Sequence, residues 1–124
     1  MTKGALEVTV VEAKKLHDED WIGKGDPYVK LILDKFNSQA TKPISGTNDP
    51  KYNETFTFNV DGQKELEVEV WDKDVAKDDL IGKNDVSLSK VFSSGQDDEW
   101  VKIRRHTIGF TKGEVHLSMK FTSA

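Results

Sequence analysis

Leu66, Val68 and Val70 alternate strictly with Glu65, Glu67 and Glu69, and this two-residue period constrains the chain more than any other feature. Successive side chains of an extended strand point to opposite faces, so such a run buries one face and wets the other. The pattern recurs in ALEVTVVEA, where Leu6, Val8 and Val10 oppose Glu7, Thr9 and Val11. ETFTFNV turns Phe56, Phe58 and Val60 inward. EVHLSMKF sets Val115, Leu117, Met119 and Phe121 against Glu114, His116, Ser118 and Lys120. Weaker runs are PYVKLILD, the polar NSQATK, IGKNDVSL and EWVKI. Roughly eight short strands joined by turn-rich segments predict an all-β, antiparallel sandwich. A helical period is nowhere sustained, although LSKVFSSG has room for one turn. With no internal repeat, linker or low-complexity tract, residues 1–124 are expected to form one domain.

Charge and composition narrow the function. The formal charge of −4, from 18 basic and 22 acidic residues, lacks the basic stripe that nucleic-acid binding needs, so no nucleic-acid partner is expected. Cysteine is absent, which removes disulfides, thiolate metal sites and a cysteine nucleophile. His17, His106 and His116 are scattered, and neither a Gly-x-Ser-x-Gly elbow nor a Gly-rich phosphate loop occurs, so no enzyme is expected. The N-terminal MTKGALEVTV lacks a signal-peptide core and no run is long enough to span a membrane, so the expected address is cytoplasmic.

Acidic side chains are the exception to an otherwise mixed surface. WDKDVAKDDLIGK crowds Asp72, Asp74, Asp78 and Asp79 into one segment, and KKLHDEDWIGKGDPYV adds Asp18, Glu19, Asp20 and Asp26. Mutually repelling carboxylates gain nothing from proximity unless a cation offsets them. Calcium accepts about six to eight oxygens in irregular geometry, whereas magnesium wants a stricter octahedron. Zinc normally calls for His or Cys, and only His17 is near. An EF-hand is excluded, because Lys77 and Lys83 stand where that loop needs Gly and Glu when counted from Asp72. On spacing alone, a pair of solvated charged loops remains an equal alternative to a metal site.

Together LEVTVVEAKKL, GKGDPYVKL, NDPKYNETFTF, LEVEVWDKD, DDLIGK and GEVHLSMKF resemble the C2 domain, the calcium-dependent phospholipid-binding module of the protein kinase C and synaptotagmin type. The likeness covers nearly the whole chain, and Tyr52 takes the place of a usual tryptophan. It implies an eight-stranded antiparallel Greek-key sandwich whose calcium-binding loops share one end and hold about two or three Ca2+ ions. Because the chain begins at the strand leading into loop one and ends on an extra strand, the resemblance implies the permuted, type II order. Carried over by position, the metal ligands are Asp20, Asp26, Asp72 and Asp74, with the backbone carbonyls of Glu19 and Lys73. The last loop-three aspartate normally precedes a glycine by three residues, which from Gly82 points to Asp79. Many members place it six after the second loop aspartate, whereas Asp79 is five after Asp74. Asp78 therefore competes with Asp79, which is favoured.

The resemblance implies calcium-dependent docking to anionic phospholipid membranes, as a recruitment or signalling module that is peripheral when calcium is bound. Trp21, Ile22 and Val75 lie where they would enter the bilayer interface, although Trp21 could instead fold back and Val75 is evenly balanced. Trp71 and Trp100 are read as framework. The alternative function is a calcium-independent C2-type adaptor that binds protein partners.

Overall fold

The computed structural model describes residues 1–16, 25–105 and 111–124. Eight strands run in order: β1 (Lys3–Lys14), β2 (Pro27–Asp34), β3 (Asn37–Ala40), β4 (Lys51–Asp61), β5 (Glu65–Asp72), β6 (Asp79–Ser87), β7 (Gln96–Arg104) and β8 (Thr111–Ser123). One short helix, α1 (Ser89–Ser94), lies between β6 and β7 and is closed by Gly95 at φ 85°, whose N–H donates to the Val91 carbonyl at 2.9 Å. Glycine suits that left-handed position because it has no Cβ to clash. Among the described residues no helix is long and apolar enough to cross a membrane.

The strands pair in the order β3-β2-β5-β6-β7-β8-β1-β4, antiparallel at each step. Among the described residues the β6–β7 ladder has the single pair Lys83 and Arg104, so the sheet divides there into two four-stranded halves. Leu31, Leu66, Val68 and Ile81 from one sheet and Leu6, Val8, Ile103 and Leu117 from the other belong to one buried cluster. Each such side chain removed from water stabilises by about 1.5–3 kcal/mol. The C-terminal β8 lies between β7 and β1, the position implied by the permuted order.

Alternation read the inward faces correctly until a bulge intervened. In β1 the register shifts between Val10 and Glu12, so Ala13 faces the core where a strict period would have placed Glu12. The partner strand β4 accommodates the shift with Asn53 at φ 50°, a left-handed conformation that asparagine tolerates. Two expectations change. Glu69, on the face expected to be wet, is only 9% exposed, and its Oε1 accepts the Trp71 indole N–H at 3.0 Å. Trp100 is not framework: it is 43% exposed and stacks on His116 at 4.6 Å, with the Lys14 ammonium 5.0 Å from its ring.

Gly82 sits where β6 turns towards β7. A Cβ there would lie 2.6 Å from Ile103 Cγ2 and 2.9 Å from the Arg104 backbone carbon, so the close approach of the two sheets depends on its absence. Gly82→Ala should lower stability by about 1–3 kcal/mol, read by denaturant titration.

Glu67 supplies a second test. Its carboxyl is pushed above the usual glutamate range by burial, then by the hydrogen bond and charge of Glu69 and the charge of Asp85, with Lys83 opposing. A carboxyl favoured in its protonated form supports the fold below its ordinary pKa and loses that support as pH rises through the raised value. Glu67→Gln should therefore raise Tm near about pH 7 and give no gain near about pH 4.

Candidate functional site

Three strand ends meet at one pole of the sandwich. β2 begins where β5 ends, with Pro27 opposite Asp72, and β5 ends where β6 begins, with Asp72 opposite Asp79. Asp26 precedes β2 by one residue, so three aspartates from two separate loops stand at neighbouring strand ends. Two bonds fix this junction. The Asp26 N–H donates to Asp72 Oδ1 at 2.8 Å, and the Lys73 N–H donates to the Asp26 carbonyl at 3.0 Å. Asp72 thus spends one carboxylate oxygen on orientation.

The start of β2 is held from a second direction. The hydroxyl of buried Tyr52, on β4, donates to the Pro27 carbonyl at 2.6 Å, and the Ile44 N–H reaches the same oxygen at 3.2 Å. Tyrosine in place of tryptophan keeps an aromatic in the core and adds this tether. Burial, with the charge of Glu54, pushes its hydroxyl pKa far upward, so it remains a donor.

Between β5 and β6 the segment 73–78 forms an outer turn. Asp74 and Val75 are exposed, and Val75 is fully so. Asp78 turns back towards the sheet: its Oδ1 accepts the Asp74 N–H at 3.1 Å and its Oδ2 accepts the Tyr28 hydroxyl at 2.6 Å. Lys73 Nζ lies 3.9 Å from the same oxygen, an exposed pair of small energetic weight. The Tyr28 bond, the Asp74 amide and Lys73 hold the Asp78 carboxyl below its usual range, against some desolvation. Desolvation and Asp78 together raise Tyr28 to about 12.

The expected site residues separate accordingly. Asp26, Asp72 and Asp79 come together at the strand ends; Asp74, the Lys73 peptide and Val75 lie on the turn above them; Asp78 is engaged with Tyr28. Glu19, Asp20, Trp21 and Ile22 lie outside the described residues. Among the described residues no three carboxylate or imidazole groups are gathered tightly enough to hold a metal ion by themselves. The chemistry of the donors nevertheless fits a hard cation, since Asp26, Asp72, Asp74, Asp79 and the local carbonyls offer only oxygen. The sequence reading missed Tyr28. Its signal was parity: it lies two residues beyond Asp26, on the same face of an extended segment.

Elsewhere a cleft of about 540 Å³ is lined by Met1, Thr2, Gly62, Gln63, Lys64 and Phe92 among others. A cleft of about 380 Å³ between β6, α1 and β7 is lined largely by Asn84, Asp85, Lys90, Glu99 and Lys102.

Comparison with known proteins gives consistent matches. The family model described as the C2 domain matches residues 4–103. Extended synaptotagmin-1 of Mus musculus is 37% identical over 128 residues, covering 96% of this chain and 11% of the relative. A single C2 domain of plant extended synaptotagmin 1 superposes with a TM-score of 0.84 at 25% identity, covering 100% of this chain and 98% of that one. The calcium-bound pair of C2 domains of extended synaptotagmin 2 gives a TM-score of 0.82 at 30% identity, covering 99% of this chain and 47% of that one. The chain thus spans about a tenth of the length of the mouse relative.

Proposed function

Because the chain belongs to the C2 domain family, we propose that it binds Ca2+ at the pole formed by β2, β5 and β6 and thereby docks on anionic phospholipid membranes. The observation that carries this reading is the Asp26 backbone N–H bond to the Asp72 carboxylate, which ties the end of loop one to the start of loop three. A related structure with calcium bound and the same fold adds support. Asp26, Asp72, Asp74 and Asp79 are the proposed carboxylate ligands among the described residues, with the Lys73 carbonyl. Asp20 and the Glu19 carbonyl would complete the set from loop one, for about two or three ions in all.

When bound, calcium supplies a hard cationic centre able to share coordination with phosphate or carboxylate oxygens of lipid headgroups. Two ions would bring the formal charge from −4 to about 0 and three to about +2, with a far larger change at the pole itself. The carboxylates repel an anionic bilayer without the cation and hold it in place with it, so attachment follows charge with no large rearrangement of the strands. Val75, fully exposed on the outer turn, supplies apolar contact with the interface, together with Trp21 and Ile22. The chain then serves as a peripheral recruitment module and performs no catalytic step.

Phosphatidylserine vesicles should sediment the protein with calcium and release it in chelator. Equal binding in both would defeat the proposal and favour the calcium-independent adaptor reading. Asp72→Asn keeps an oxygen for the Asp26 amide while removing a charge, so it should weaken calcium binding about tenfold or more with the fold intact. Val75→Asp should weaken vesicle binding about three- to tenfold and leave calcium affinity in solution unchanged, as calorimetry would show.

A further inference from the structure

Beyond the Asp72–Asp79 pair at its base and the Lys73 N–H bond to the Asp26 carbonyl, the turn between β5 and β6 is held by Asp78. Residues 73–77 are all exposed, so no packing fixes their conformation. Asp78 bridges two parts of the structure: one oxygen takes the Asp74 N–H and the other takes the Tyr28 hydroxyl. Tyr28 is anchored in turn. It pairs with Trp71 across the β2–β5 ladder, and the next residue, Val29, donates its N–H to the buried Thr41 hydroxyl at 3.0 Å. The hydroxyl therefore carries the rigidity of the sheet into the turn, through a single carboxylate.

We infer that Tyr28 is a positioning residue for calcium, acting through Asp78, and that Asp78 shapes the turn instead of ligating the ion. This rests on the proposed calcium site. Both Asp78 oxygens are committed to protein donors, whereas Asp79 follows directly at the start of β6, in register with Asp72. The Asp74 N–H held by Asp78 sets the backbone between the Lys73 carbonyl and the Asp74 carboxylate, both proposed ligands. A turn ordered beforehand spares the binding step the entropy of ordering it. Removing the Tyr28 hydroxyl leaves every proposed ligand in place and removes only the organisation.

The test is calcium titration by calorimetry on the full chain, beside hydrogen exchange in chelator. Tyr28→Phe should weaken calcium binding about three- to tenfold at unchanged stoichiometry. Asp78→Ala should do the same, and Tyr28→Phe should cost nothing more in the Asp78→Ala background, because the hydroxyl has no other route to the turn. Without calcium, the Asp74 amide should exchange faster in Tyr28→Phe, while amides at the centre of β5 keep their protection. Loss of one ion per chain in Asp78→Ala would make Asp78 a ligand and overturn the inference. So would additive losses in the double variant, or Tyr28→Phe matching the wild type in both affinity and exchange. A wild type that takes up no calcium would defeat the proposed function itself, and the two failures are thereby distinguished.

Discussion

The register between β2 and β5 is the constraint on which the rest depends. Val29 faces Val70 and Leu31 faces Val68, so the ladder delivers buried side chains to the core from both strands. The same register puts Pro27 opposite Asp72 and lets the Asp26 amide reach the Asp72 carboxylate. Side chains alternate with a period of two, so a slip by one residue would turn every buried residue of the strand outward. It would also separate the acidic pair. Core packing and the proposed site are thus fixed by one choice, and the large hydrophobic cost of a slip protects a polar geometry that could not enforce itself.

The strands were legible because most are half-buried and write their orientation in alternating residues, as Leu66 to Val70 does against its glutamates. What alternation cannot encode is interruption or cover. The β1 bulge leaves no trace in composition, since Val11, Glu12 and Ala13 read equally well as a continuing strand. Glu69 lies on the face alternation assigns and is buried there all the same, its carboxylate bonded to the Trp71 indole on its own strand, a contact set by rotamer choice. Trp100 misled because tryptophan is generally core-seeking; here it rests on His116, whose ring also meets the Asp98 carboxylate. Asp79 was read as loop and begins β6, because the first residue of a strand is chosen by pairing with Asp72 and not by its own propensity.

At the pole, the crowding of aspartates into the segment that joins β5 to β6 was visible in sequence. The division of labour among them was not. Whether a carboxylate faces outward or bonds inward depends on which donors lie within about 3 Å, and Tyr28 is fifty positions from Asp78. Two adjacent aspartates with equal claims by spacing are told apart only by that long-range hydroxyl.

This division explains how an acidic pole can persist in a folded chain. Repulsion among Asp26, Asp72, Asp74, Asp78 and Asp79 would favour opening the strand ends, and Lys73 is too exposed to offset it. Neutral donors do so instead: the Asp26 amide serves Asp72, while the Asp74 amide and Tyr28 hydroxyl serve Asp78. Hydrogen bonds to a charged acceptor are stronger than those between neutral groups, and here they brace a turn that buries almost nothing. They also add no positive charge, so the negative potential available to an incoming cation survives. A lysine or arginine in either role would have stabilised the turn by cancelling the field on which the proposed calcium binding depends. Backbone amides and a phenol hold the geometry and leave the charge in place.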